Sequence, residues 1–345
     1  MSEVKAEYEW YDYRAILSRG ALWSLVSGPR SIGKTFGAKR DAVKRFLAKG
    51  SETIWLRRTH TELTPARSGF FDGVAPLWPG FDFRVDGMVG QIRMEATGES
   101  SDWHTIIRFA ALSTSAQMKG TEFPLVDWIV YDECFAEPGQ RELPEEVERL
   151  RNLWITVNRS RVDKNGRAKT RVLLLGNVTS LDNCWFLEFY FDGSKEWQKA
   201  KNTSGDVMLH LVDAAKYERR VGETIYGKAL GTLQLDYGTG GYFRSDGGFV
   251  VPERHPDSTP FATLITLRGE FGLWRLGYEK VFVTVGAVAD KNVPTVAFEP
   301  LAVRPGVPYA DKTTRIRREA NRQYRAGRLF LVTPGAMAAR QALVR

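Results

Sequence analysis

Residues 22–47 read LWSLVSGPRSIGKTFGAKRDAVKRFL. An apolar run ends in a glycine turn, and a helical pattern follows. The run is short and stops at Gly28, so it reads as a buried strand. Beyond the turn, Phe36, Ala38, Ala42 and Phe46 are interleaved with Lys39, Arg40, Lys44 and Arg45, as in an amphipathic helix. Between the two, Gly28-Pro29-Arg30-Ser31-Ile32-Gly33-Lys34-Thr35 fits G-x-x-x-x-G-K-[ST]. The glycines let the backbone curl until its N–H groups face a polyphosphate, and the helix N-terminus adds positive dipole there. Lys34 is placed to reach the β- and γ-phosphates, and Thr35 to ligate Mg²⁺. The stretch predicts a nucleotide site that takes ATP and Mg²⁺.

A second motif completes such a site. DWIVYDECF (127–135) runs from an apolar strand into Asp132 and Glu133. In an open α/β sheet, ligands bind at the carboxyl ends of the strands, where this acid pair falls. Asp132 is the candidate magnesium ligand, directly or through water. Glu133 is the candidate base for the attacking water. Other strand-like pieces are ETIWLRR (52–58), TIIRFAALS (105–113) and RVLLLGN (171–177), with a hairpin in FRVDGMVGQIRME (83–95) around Asp86-Gly87. LPEEVERLRNLWITVNRSR (143–161) is helical, with Pro144 at its first position and a stripe of Val147, Leu150, Leu153, Trp154 and Val157. Residues 20–180 therefore predict an α/β domain with a mostly parallel sheet. TIIRFAALS, lying between the two motifs, is taken as the extra strand of the additional-strand ATPases.

Further polar residues fall at strand and helix ends. Asn177 leaves RVLLLGN beside the motif strands, as a γ-phosphate sensor or as ordinary turn chemistry. Arg159 and Arg161 close the helix, where cations suit the dipole but also suit a neighbouring subunit's γ-phosphate. Arg57, Arg58 and Lys119 are basic residues that could face phosphate or solvent.

Composition narrows the class. The 345 residues allow about two domains. At 43% hydrophobic, the chain can build a sizeable core. Lys and Arg outnumber Asp and Glu by 49 to 41, and residues 311–345 hold nine basic residues against two acids. That excess favours a polyanion, most simply nucleic acid. Cys134 and Cys184 give neither a disulfide framework nor a zinc spacing, which suits a reducing, cytoplasmic setting. No apolar stretch approaches the ~20 residues of a membrane span. No N-K-x-D motif appears, which disfavours a GTPase.

As an ordered set, SGPRSIGKTFGAKR, TIWLRRTHTEL, MKGTEFPLVDWIVYDECF, EVERLRNLWITVNRSR and LLLGNVTSLDNCWFLEFYF resemble the DNA-encapsidation ATPases of small short-tailed phages, the Picovirinae type. The resemblance covers about residues 10–195. It implies that Lys34 and Thr35 are the phosphate-loop pair, Asp132 and Glu133 the acid pair, and Arg159 a trans-acting finger, with Arg161 close behind. It implies that Lys119 reaches a neighbour's site and that Asn177 links hydrolysis to movement. His60 stands where relatives tend to carry lysine. Tyr11 and Tyr13 are candidates for adenine contact.

The expected organisation is a P-loop ATPase domain at 1–195, a glycine-rich connecting subdomain at 196–255 and an RNase-H-like domain at 256–345. The last is implied by the resemblance. Its meander, TPFATLITLRGEFGLWRLGYEKVFVTVGA (259–287), offers only Glu270 and Glu279, too few acids for two-metal cleavage. This domain is expected to bind DNA, RNA or the portal vertex, with much of the contact carried by the arginine-rich stretch 313–328. The implied partners are double-stranded DNA, the procapsid portal, further copies of the chain in a ring (a pentamer by resemblance) and a structural RNA. The implied location is the host cytoplasm, transiently at the portal vertex. A single-strand helicase and a non-hydrolysing clamp are the competing readings.

Overall fold

The computed structural model describes residues 11–28, 32–94, 102–136, 142–177, 183–189, 191, 195–200, 206–212, 251, 253–267, 269–311, 313–332, 336, 339, 342 and 343. Two units divide the chain: residues 1–178 with 195–242, and residues 179–194 with 243–345.

The first unit runs α1 (Arg14–Leu17), β1 (Trp23–Ser27), α2 (Lys34–Lys49), β2 (Glu52–Arg57), α3 (His60–Arg67), β3 (Phe81–Asp86), β4 (Val89–Met94), β5 (His104–Ala111), β6 (Val126–Asp132), α4 (Glu146–Asn158), β7 (Arg171–Gly176), β8 (Trp197–Lys199) and β9 (Val207–Leu211). Among the described residues, these strands form one sheet in the order β3-β4-β5-β2-β6-β7-β1-β9-β8. From β5 to β9 every neighbour pairs in parallel; β3, β4 and β8 add antiparallel edges.

The parallel strands are buried along nearly their whole length, β1 and β6 at every residue, because helices cover both faces. Alternation along the strands sorts the core. Val26, Trp55, Trp128, Val130, Leu173 and Leu175 pack with Ala38, Ala42 and Val43 of α2. Tyr131 points the other way, and its hydroxyl donates to Glu146 at the start of α4, so α4 lies on the opposite face. Leu150, Leu153 and Val157 of its expected stripe are each 2% exposed or less.

Two expectations need correcting. TIIRFAALS forms β5, but β5 lies outside β2. The strand inserted between the phosphate-loop strand β1 and the acid strand β6 is β7. Adjacency in sequence does not fix adjacency in a parallel sheet, because each crossover helix can return the chain to either side. The helix expected from 143 begins at Glu146, not Pro144. Glu145 takes a left-handed conformation (φ 56°), and the Glu146 carboxylate turns inward to accept from the Leu143 amide at 2.8 Å.

Most of the glycine-rich tract at 196–255 lies outside the described residues; its start supplies β8 and β9 to the first unit's sheet. Tyr11 and Tyr13 are 3% and 1% exposed. Their hydroxyls bond His210 Nδ1 and the Lys34 carbonyl at 2.8 and 2.6 Å, so both rings belong to the core and offer no face to a base.

The second unit contains α5 (Cys184–Phe189), β10 (Thr259–Thr266), β11 (Gly269–Leu276), β12 (Lys280–Val285), β13 (Thr295–Ala297), α6 (Arg315–Arg325) and β14 (Leu329–Leu331). The expected meander is present as antiparallel β10-β11-β12, with β13 parallel to β10 and β14 parallel to β12. Helix α6 splits its arginines by face. Arg315, Arg318 and Arg322 are exposed, whereas Arg317 is 5% exposed and donates to the carbonyls of Phe298, Ala310 and Ala342. Among the described residues, no helix is long and apolar enough to cross a membrane.

Candidate active site

The site forms where β1, β7 and β6 end side by side. Ser27 of β1 is level with Gly176 of β7, and Leu175 is level with Asp132 of β6. Gly28, Gly176 and Asp132 therefore share one edge of the sheet. The Gly28 amide donates to the Gly176 carbonyl at 3.2 Å, which ties the phosphate loop to β7. A Cβ on Gly28 would meet Ile32 Cδ1 at 2.7 Å, so the loop has no room for a larger residue there. Gly33 caps α2 at φ 85°, a conformation that favours glycine. Pro29, Arg30 and Ser31 lie outside the described residues.

Lys34 Nζ donates to the Gly28 carbonyl at 2.6 Å and so spans the base of the loop. Thr35 Oγ1 donates to Asp132 Oδ1 at 2.9 Å, which joins the two motifs across 97 residues of sequence. Asp132 is 2% exposed. Burial raises its pKa above the ordinary carboxylate value, against the pull of the Arg57 guanidinium and the Thr35 hydroxyl. A hydroxyl and a buried carboxylate in contact beside a phosphate-binding loop form a hard-oxygen donor pair that suits Mg²⁺.

Glu133 follows the end of β6 with φ 58°, and its side chain is 67% exposed. Arg57 bridges the two acids, reaching Asp132 Oδ2 at 3.2 Å and pairing with Glu133. The arginine expected to face phosphate is thus engaged with carboxylates. The Arg57 guanidinium thus occupies the Glu133 carboxylate. Asn177 follows Gly176, placing it between the phosphate loop and the acid pair.

Arg159 and Lys119 do not join this site in the same chain. Arg159 reaches Glu122 at 3.0 Å and the Thr121 carbonyl at 3.3 Å, both ahead of β6. Strand β6 rises about 20 Å from Val126 to Asp132, so Arg159 sits near the opposite edge of the sheet. It contacts the loop that carries Lys119, which is exposed. The structure therefore groups Arg159 with Lys119, and separately groups Lys34, Thr35, Asp132, Glu133, Arg57 and Asn177.

Arg161 has a different environment. Its guanidinium donates to the carbonyls of Asn158, Pro124, Val126 and Val157 and to Thr170 Oγ1, at 2.6–3.3 Å. It ties the end of α4 to the start of β6. Arg161→Ala removes these five side-chain bonds and is expected to cost about 2 kcal/mol, a fall of roughly 4–8 °C in Tm for a unit of this size. Arg159→Ala removes an exposed pair and an exposed bond to the Thr121 carbonyl and is expected to cost under about 1 kcal/mol. Thermal unfolding of the two variants checks this contrast.

Arg58, read with Arg57 as facing phosphate or solvent, faces neither, and the residue that the motifs missed is its buried partner Glu146. Arg58 is 2% exposed and pairs with Glu146, 1% exposed, with Nε to Oε2 at 3.0 Å. Its Nη2 also donates to the Cys134 carbonyl at 2.9 Å. Burial pushes the Tyr131 hydroxyl well above its ordinary pKa, so it stays protonated and donates to Glu146.

A phosphate loop, an acid pair at the next-but-one strand and a strand inserted between them define a P-loop ATPase domain of the additional-strand division. The chain belongs to the Podovirus DNA encapsidation protein (Gp16) family, whose profile matches residues 6–302. It is 28% identical over 265 residues to the DNA packaging protein of Bacillus phage B103, covering 75% of this chain and 76% of that one. It is 27% identical over 271 residues to the DNA packaging protein of Bacillus phage phi29, covering 77% and 75%. Among solved structures, a chain of the phi29 viral genome packaging motor assembly superposes with a TM-score of 0.68 at 22% identity, over 96% of this chain and 97% of that one. The N-terminal domain of the phi29 DNA packaging ATPase gives 0.50 at 28% identity, over 59% and 96%.

Proposed function

We propose that this chain is the ATP-hydrolysing subunit of a phage DNA-packaging motor, acting in a ring of identical copies that drives double-stranded DNA into a preformed procapsid through its portal. The observation that carries the reading is the contact of Thr35 with Asp132 beside Lys34, in a chain of the encapsidation family. Thr35 and Asp132 would hold Mg²⁺, which supplies charge neutralisation on the β- and γ-phosphates when bound. Lys34 and the loop amides orient the phosphates. Glu133, once released from Arg57, takes the proton of the attacking water. Asn177 stands between loop and acids, where it can sense the γ-phosphate. Arg159, far from its own site, completes a neighbour's, with Lys119 at the same face. A pentameric ring and transient residence at the portal in the host cytoplasm are implied by the family resemblance, and a structural RNA is a further partner of some relatives.

The second unit is read as an RNase-H-like fold that no longer cuts. Glu270 and Glu279 fall at opposite ends of β11, about 20 Å apart along the strand, and Glu270 is paired with Arg304. Carboxylates so placed cannot converge on one pair of cations. The exposed arginines of α6 suit sequence-independent phosphate contact.

Steady-state ATP hydrolysis with duplex or single-stranded DNA at two salt concentrations tests the reading. Stimulation mainly by duplex, weakening as salt rises, is expected. Stimulation mainly by single strands would replace it with a helicase. No turnover with portal and procapsid present would replace it with a clamp.

A further inference from the structure

Among the described residues, three besides glycine hold a positive φ: Glu133 at 58°, Glu145 at 56° and Arg159 at 47°. A side chain with a Cβ rarely adopts this conformation, and such residues gather where function demands them. Here Glu145 and Arg159 bound the two ends of α4, and Glu133 is the candidate catalytic base.

A buried network links the first two of these points. Glu146, the first residue of α4, accepts from Arg58 Nε at 3.0 Å, from the Tyr131 hydroxyl at 2.6 Å and from the Leu143 amide at 2.8 Å. Arg58 in turn donates to the carbonyl of Cys134, the residue after Glu133. The start of α4 is thus bonded to the acid loop through groups that water cannot reach. The other end of α4, about 20 Å away over its thirteen residues, is tied to the start of β6 and to Thr170 by Arg161 and Asn158, and presents the Arg159 side chain through exposed contacts. A helix of this length moves as a rigid rod, so a shift at its bonded end reappears at its exposed end.

We propose that Arg58 and Glu146 are positioning residues that fix α4 to the Glu133 loop, so that the state of one subunit's catalytic site sets where that subunit holds Arg159 against its neighbour. The proposal rests on the trans role of Arg159 given above. It differs from a purely structural ion pair in one respect. A structural pair can be replaced by apolar residues of similar volume with little loss of stability. Such a replacement would keep the helix in place on average but remove the directional bond to the Cys134 carbonyl.

The test uses rings of Arg159→Ala subunits, whose sites are intact, mixed with donor subunits whose own site is disabled by Glu133→Gln. Donors with no further change restore hydrolysis. Donors that also carry Arg58→Met and Glu146→Leu are expected to restore about tenfold less, since small misplacements of a catalytic group have effects of this order or larger. Their ring assembly is expected to match that of the first donors, with a lower Tm because the Tyr131 hydroxyl, the Leu143 amide and the Cys134 carbonyl lose these partners. A second donor carrying Tyr131→Phe, which removes one hydrogen bond and little volume, is expected to fall between. Equal restoration by all donors overturns the proposal and leaves the trans role of Arg159 standing. If the double replacement fails to fold, equal restoration by the Tyr131→Phe donor overturns it by itself. If the unmodified donors restore nothing in assembled rings, the trans reading fails and the proposal falls with it.

Discussion

Arg159→Ala is expected to lower ATP turnover by assembled rings about a thousandfold, the lower end of what an arginine finger contributes. The effect should fall on kcat and leave nucleotide affinity nearly unchanged. Arg159 would act on charge that develops as the γ-phosphoryl group departs, and an interaction made only in the transition state does not tighten the ground state. The variant should fold normally, because the Glu122 pair it breaks is largely exposed. Steady-state kinetics with a separate nucleotide-binding measurement check both halves. Turnover within tenfold of the parent rings removes Arg159 from the chemistry. Mixing supplies a signature that no local effect can imitate. Arg159→Ala and Glu133→Gln subunits are each inactive alone, yet equal random mixing in a head-to-tail ring makes about one quarter of the sites complete.

Glu133→Gln is expected to reduce kcat between about a hundred- and ten-thousandfold, the range for removal of a positioned general base. The amide keeps the size of the side chain but cannot accept the proton of water. In the proposed mechanism ATP binding rests on Lys34, the loop amides and the Thr35–Asp132 pair, none of which changes. Single-turnover hydrolysis alongside equilibrium binding separates the two effects. A variant that still hydrolyses at near parental rate assigns the proton to another acceptor. Stability should change little, because the Glu133 carboxylate that pairs with Arg57 is mostly exposed to solvent.

The parts of the site that sequence makes legible are those carried on continuous strand–loop–helix pieces. Lys34, Thr35, Asp132 and Glu133 are read from motifs because the apolar runs of β1 and β6 place them at strand ends. Arg57 and Arg58 are not separable in this way. As neighbours at the end of β2 they go to opposite surroundings. Arg57 turns to the acid pair; Arg58 turns to Glu146 beneath α4. Only packing distinguishes a solvated arginine from one that is 2% exposed. The same limit applies to Arg159 and Arg161, alike in sequence context but divided by the five hydrogen bonds that Arg161 makes. In the fold, β9 is hidden because VMLHL is a five-residue run interrupted by His210. That histidine is tolerated in the sheet because Tyr11 and Glu196 bond its ring, and neither partner is close enough in sequence to signal the pairing. The inserted strand is misplaced because its position depends on which side of β6 the chain returns to after α4.

The order of the central strands also bears on how the protein is made. Strand β1 leaves the ribosome early, but its two partners, β7 and β9, end at Gly176 and Leu211. At ordinary rates of translation the second partner emerges roughly 10–40 s after the first strand. Until then the phosphate loop hangs from a strand with an incomplete set of neighbours. Synthesis itself thus delays completion of the central sheet until nearly the whole first unit has been translated.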